Sequence, residues 1–250
     1  MVGFIRSFFL TFSVLSFLIS PAFAQGNGKP LENPPVILEL FTSQNCSSCP
    51  PADRYLTELS QRNDIIAISC HVGYWNHLGW VDKLSLPECA RRQRGYGRRL
   101  ERGRVFTPQM IINGNKSFVG HHKADIGLEI RKQERNEDLY RADLSYQPQN
   151  HTVTYRLPEL PAGRQGVYEL ALYAIKDKVR EDIESGENRG KTVLYTQVAL
   201  ALDYLPNWNG KFLSKTITYP LPPGTDRLVM LGGLGDSGRI MVFATEDIVF

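Results

Sequence analysis

Two regimes of hydrophobic patterning divide the chain. Residues 36–41 (Val-Ile-Leu-Glu-Leu-Phe) and 64–70 (Asp-Ile-Ile-Ala-Ile-Ser-Cys) are nearly unbroken apolar runs, the pattern of strands buried on both faces. Between them Tyr55, Leu56 and Leu59 recur at helical spacing. Strand, helix, strand in that order predicts a βαβ crossover with the two strands parallel and their carboxyl ends side by side. Two further short runs, 109–112 and 116–119, flank Asn113-Gly114, a hairpin signal because a type I′ turn needs positive φ at both central residues. A helix is expected over 124–135, with Ile126 and Ile130 on one face. Another should start at Ser85, capped with Glu88, and carry Cys89 and Arg91, Arg92, Arg94, Arg98, Arg99, Arg102 and Arg104, weakened by Gly95 and Gly97. From about Leu139 the apolar positions alternate in steps of two between proline and glycine turns, which reads as roughly seven short antiparallel strands. The charged stretch 176–191 reads as the longest loop among them.

The amino terminus adds an address. Arg6, the apolar run from Phe8 to Ile19 and the small-x-small triplet Ala22-Phe23-Ala24 predict a Sec-type signal peptide over 1–24, cleaved after Ala24, followed by a flexible segment over 25–33. The expected address is the periplasm or the medium, with no stable membrane insertion after cleavage. The formal charge of +3 falls to +2 when Arg6 leaves, a balance that together with export argues against nucleic acid as a partner.

The candidate chemistry lies at Cys46-Ser47-Ser48-Cys49, where the first strand gives way to a helix. Pro50 and Pro51 fit only a first helical turn, so Ser48 is expected at the N-cap and Cys49 in that turn, where free N–H groups favour a thiolate. Strand, CxxC and helix in succession is the thioredoxin signature. The βαβ geometry is expected to bring Cys70 and His71 out near Cys46. Thr107-Pro108 opens the next strand, where that fold places a cis-proline facing the cysteines. The expected fold class is therefore an α/β thioredoxin-like domain over 34–137 followed by an antiparallel β-sandwich domain over 138–250.

These residues resemble a bacterial family of secreted thioredoxin-like proteins, domain-of-unknown-function family 1223. The resemblance rests on Glu39 to Gln44 before the first cysteine, Cys49-Pro50-Pro51-Ala52-Asp53 after it, His71-Val72, Tyr74-Trp75, Leu78-Gly79-Trp80, Thr107-Pro108-Gln109, Asn113-Gly114, Gly186-Glu187-Asn188 and Gly190-Lys191. It implies a fold and no substrate. The chain departs from the pattern at Gly73 and Asn76, where acidic residues are common, and in carrying Cys70 and Cys89.

The leading functional expectation is thiol–disulfide exchange with the thiols or disulfides of periplasmic proteins and an unidentified redox donor. Cys46 is the nucleophile, Cys49 the resolving thiol and Pro108 shapes the client groove, with His71, Tyr74, Trp75 and Thr107 as candidate site-lining residues. No organic cofactor and no metal is expected for it. The other class is non-enzymatic: a copper-handling module using Cys46, Cys49 and His71, or a redox-inert interaction protein whose CxxC is a fixed brace. Cys70 and Cys89 read as a second, structural disulfide, against a relay in which Cys70 exchanges with the CxxC. The arginines read as a docking surface for an anionic partner or as a solvated helix face. The loop around Glu187 and Asn188 reads as a cover for the site or as a plain connection.

Overall fold

The computed structural model describes residues 28–134, 138–235 and 238–249. The expected signal peptide lies outside the described residues. In the first half β1 (Val36–Thr42), α1 (Pro50–Leu59) and β2 (Ile65–His71) form the predicted crossover, with β1 and β2 parallel from Val36↔Ile65 to Thr42↔His71. A 3-10 turn (Gly73–Leu78) leads to α2 (Pro87–Leu100), then to β3 (Gln109–Ile112), β4 (Lys116–Val119) and α3 (Lys123–Gln133). Asn113 and Gly114 carry φ of 47° and 71°, the positive values that the hairpin motif predicts. The Thr107–Pro108 peptide is cis.

Both helix starts differ from expectation. Cys49 itself is the N-cap residue of α1, with Pro50 and Pro51 filling the first two helical positions. The N-cap of α2 is Leu86, and the Ser85 hydroxyl donates instead to the Asp82 carbonyl at 2.7 Å. In each case proline at the first helical position removes a donor that a capping side chain would otherwise satisfy.

The second half supplies β5 (Tyr140–Arg141), β6 (Asp143–Gln147), β7 (Thr152–Leu157), β8 (Tyr168–Asp182), β9 (Thr192–Trp208), β10 (Leu213–Thr218), β11 (Arg227–Leu234) and β12 (Ile240–Asp247). The expected thioredoxin-like domain followed by a separate β-sandwich is not what forms. The halves share one mixed nine-stranded sheet, in the order β4-β3-β1-β2-β9-β8-β11-β12-β5. The join is a parallel pairing of Ser69 in β2 with Val198 in β9. One continuous core backs that join, taking Ile37, Phe41, Ile68 and Ile111 from the first half and Tyr173, Ile175, Val229 and Phe243 from the second. The correction has a physical reason. A strand such as β2, apolar on both faces, needs a neighbour on its open edge, and β9 supplies it from within the same chain.

The second sheet, β10-β7-β6, stacks on the second half of the large sheet, burying Leu144, Val153, Tyr155 and Leu157 against Leu170, Leu172, Leu228 and Met230. Two-layer β packing is thus present, as a cover on a shared sheet. α1 and α3 cover one face of the first half through Leu56, Ile126 and Ile130, and α2 covers the opposite face through Cys89 and Tyr96. The charged stretch read as one long loop begins as strand, with β8 running through 176–182. β8 and β9 continue as a paired arm to Asp182↔Thr192, and only 183–191 turn at its tip. That arm carries the tip across to the carboxyl ends of β1 and β2.

Candidate functional site

Cys46 and Cys49 form a disulfide with Cα atoms 5.3 Å apart, closing the turn between β1 and α1. Cys49 is fully buried and Cys46 is 4% exposed, while Ser47 and Ser48 between them face solvent. The Cys46 sulfur lies 3.3 Å from the Ser48 hydroxyl.

The tip of the β8–β9 arm lies over this ring. Asn188, 1% exposed, donates its side-chain amide to the carbonyls of Gln44 and Cys46, both at 2.8 Å. Glu187 accepts the Ser47 backbone N–H at 3.0 Å. Gly186 has φ of 75°, and a Cβ there would overlap the Asn45 amide, so the tip reaches the turn only because this residue is glycine. The turn is fixed from the other side by Trp80, whose indole N–H donates to Gln44 Oε1 at 2.6 Å and whose carbonyl accepts the Asn45 amide. Replacing Asn188 with alanine removes the two hydrogen bonds that tie the tip to the turn, about 1 kcal/mol each, together with the one its Oδ1 accepts from Lys191 within the tip. Reduction of the Cys46–Cys49 pair by dithiothreitol is therefore expected to accelerate roughly ten- to thirtyfold. An unchanged rate by thiol trapping would show that this clamp does not limit access.

Beneath the turn is a buried charged cluster. Asp82 accepts the Gln44 N–H at 2.9 Å and bonds His71 Nδ1 at 2.8 Å, with both side chains fully buried. Burial alone pushes the His71 pKa down and that of Asp82 up. Their mutual attraction and hydrogen bond outweigh this, so His71 rises above its ordinary value and Asp82 falls below it. The Tyr195 ring meets the imidazole edge-on at 4.6 Å. On α1, one turn after Cys49, Asp53 accepts the Thr42 hydroxyl at 2.7 Å and is buried with its other oxygen unpartnered among the described residues. Burial pushes its carboxyl up to about 7, against the opposing pull of the His71 charge and the Thr42 hydroxyl. The Nε2 of His71 is likewise buried without a partner among the described residues.

The predicted site residues are only partly assembled. His71 reaches the CxxC turn, but through Asp82. Cys70, its neighbour in β2, points to the opposite face and is bonded to Cys89 of α2, with Cα atoms 5.5 Å apart. The expected second disulfide is therefore present, and no three-cysteine relay is assembled. Trp75 donates its indole N–H to the Thr107 hydroxyl at 2.8 Å, which brings the aromatic turn and the Thr107-Pro108 segment together. Tyr74 and Trp75 are half-buried with rings 5.6 Å apart. Pro108 is buried, and its Cβ stands with those of Ala52 and Leu40's side chain around Gly120, against the first turns of α1. A groove of about 500 Å³ runs from Pro50 along Arg54 and Thr57 to Val193 and Leu194 of β9. Cys46, Cys49 and His71 do not make a ligand set. Among the described residues no group of three or more histidine, cysteine, aspartate or glutamate side chains is placed to hold a metal.

Sequence reasoning missed the Asp53–His71–Asp82 cluster. The available signal was Asp53, an acid on the same helical stripe as the buried Ala52, Leu56 and Leu59. Asp82 bonds locally only as a turn residue, its Oδ1 accepting the Leu84 N–H at 2.9 Å, which gives no sign of its cluster partners at 44 and 71.

Among solved structures, the chain is similar to protein AGR_C_4864 from Agrobacterium tumefaciens, with a TM-score of 0.68 and 26% identity, covering 88% of this chain and 96% of that one. HBP35 of Porphyromonas gingivalis shares the fold at a TM-score of 0.61 and 15% identity, over 88% of this chain and 77% of that one. No curated protein matches the chain. Residues 37–231 match the family described as "Protein of unknown function (DUF1223)". That span takes in the CxxC turn, the Asp53–His71–Asp82 cluster and the arm that covers them, and the chain belongs to this family.

Proposed function

We propose that this protein is an exported thiol–disulfide exchange protein that acts on the thiols or disulfides of periplasmic protein clients through Cys46 and Cys49. The observation that carries this reading is the contrast between the two disulfides. Cys70–Cys89 is sealed between a strand and a helix in the core with both cysteines 0% exposed, whereas Cys46–Cys49 closes a turn at the N-terminus of α1 in which Ser47 and Ser48 face solvent and Cys46 keeps 4% exposure. In the exchange a client thiolate attacks Cys46, the Cys46–Cys49 bond breaks, and Cys49 leaves as a thiolate steadied by the helix N-terminus. A second client thiolate then attacks the mixed disulfide, so the client gains the S–S bond that the protein loses. A separate redox partner returns the protein pair to its starting state. Asp53, one turn after Cys49 on α1 and with one buried carboxyl oxygen unpartnered among the described residues, is assigned in this reading as the group that takes up or returns the thiol proton. The groove beginning at Pro50 offers the adjoining surface for an extended client segment.

The test is a redox titration of the mature protein, read by alkylation and mass spectrometry. A reduction potential between about −120 and −270 mV is expected. Cys46→Ser should abolish oxidation of a model dithiol peptide, and the Cys70–Cys89 pair should stay closed throughout. A Cys46–Cys49 pair still closed below about −300 mV would identify it as a structural brace and overturn the proposal.

A further inference from the structure

The arginines of α2 are not spread evenly around the helix. Arg91, Arg98 and Arg99 fall at i, i+7 and i+8, on one face, and Gly95 falls between them at i+4. This face meets the start of β8 and the far half of β9 across a cleft of about 330 Å³, lined by Arg91, Gly95, Arg98, Arg99, Glu169 and Tyr204 among others. It lies on the side of the sheet opposite α1, away from the CxxC turn.

Two features separate it from a merely solvated charged face. The first is Gly95, buried at the cleft floor. A mid-helix glycine costs about 1 kcal/mol relative to alanine, and packing does not demand this one: a Cβ would meet nothing closer than Arg99 Nη1 at 3.5 Å. Gly97 is different, since a Cβ there would fall 2.5 Å from the Arg104 carbonyl. What the missing side chain at 95 leaves is open space between guanidinium groups. The second feature is that Arg91 and Arg99 are held in place and that all three arginines are uncompensated. Arg91 lies over the Tyr204 ring at 4.2 Å, and Arg99 lies over the Tyr96 ring at 5.0 Å and against Gly238. None of Arg91, Arg98 and Arg99 has a carboxylate at ion-pair distance among the described residues. The one acid in the lining, Glu169, is half-exposed and stands 3.8 Å from Arg92.

We propose that this cleft binds a small oxyanion carrying two or more negative charges, in phosphate or carboxylate form. Guanidinium forks match such groups in bidentate geometry, and an anion here would relieve the mutual repulsion of three cations. The volume sits at the lower end of the roughly 300–1,000 Å³ of ligand pockets, which fits a small molecule.

The test is calorimetric titration with inorganic pyrophosphate and with citrate, at ionic strength held constant with potassium chloride. Saturable one-to-one binding of at least one probe is expected, and the tighter of the two names the head group. Arg98→Gln and Arg99→Gln should each weaken it at least about tenfold. Glu169→Gln should tighten it. Arg94→Gln, which removes the same charge from the same helix outside the cleft, should leave it within about twofold. Gly95→Leu fills the floor without altering charge and should abolish binding, with circular dichroism confirming the fold. Absence of saturable binding overturns the proposal. So does equal weakening by Arg94→Gln and Arg98→Gln, a comparison of exposed residues that holds even if the Gly95 variant fails to fold.

Discussion

Replacing Arg92 with methionine is expected to destabilise the protein by about 3–5 kcal/mol, because it strands a fully buried carboxylate. That carboxylate is Glu39, in the middle of β1 and 0% exposed. Arg92 reaches it from α2 through two nitrogens, at 2.5 and 3.1 Å, and the hydroxyls of Tyr96 and Tyr173 donate to it at 2.5 and 2.6 Å. Burial alone would push the Glu39 pKa up, but the Arg92 charge and these donors hold it below its ordinary value. The network ties β1 of the first half to β8 of the second, so its loss should loosen the shared core rather than one element. The double variant Glu39→Gln with Arg92→Met leaves no unpaired charge and is expected to recover most of the loss. Urea denaturation of the two variants measures the difference. A single variant within about 1 kcal/mol of the parent would mean that Glu39 finds water or protonates at little cost.

Stability is expected to fall as pH rises from about 4 to about 7, and Asp53 is the cause. Burial pushes its carboxyl up to about 7 in the folded chain, against about 3.9 for an unperturbed aspartate. Between those values the folded state holds a proton that the unfolded state has released. The contribution is therefore complete below about 4 and is lost as pH rises through about 7. The size is on the order of 4 kcal/mol. Burial is the main cause and the Asp82 charge adds to it, while the His71 charge from β2, the Thr42 hydroxyl from β1 and Arg54 oppose it. His71, raised chiefly by Asp82 and also facing Asp53 and Glu181, likewise holds its proton above the ordinary histidine value and adds a decline at the upper end. Asp53→Asn should flatten the profile across this window and leave the variant more stable than the parent at pH 8. Thermal unfolding at intervals from pH 4 to 8 reads the effect. A parent profile that rises over the same window would show Asp53 ionised throughout and overturn the assignment.

Local signals carried much of the first half. Apolar runs too continuous for an exposed strand gave β1 and β2, Asn113-Gly114 gave the β3–β4 hairpin, and Pro50-Pro51 gave the start of α1 to within a residue. The second half was legible as strands but not as an architecture. Period-two alternation reports that a strand has a buried face, and it is silent on which strand supplies the edge partner. The alternation also failed at 176–182, where charged residues line a solvent-facing arm and read as loop, although β8 continues through them.

The sequence by itself determined most of the elements, the CxxC turn at a strand–helix junction and the even set of cysteines, because each depends on residues a few positions apart. Only the tertiary structure decided that one sheet joins both halves, that Cys70 pairs with Cys89 on the far face, and that Asn188 clamps the CxxC turn. It alone decided that Glu39 meets Arg92 and that Asp53, His71 and Asp82 share a buried pocket. These are contacts between residues 11 or more positions apart, and their energy exists only once strand order and the face of each residue are fixed.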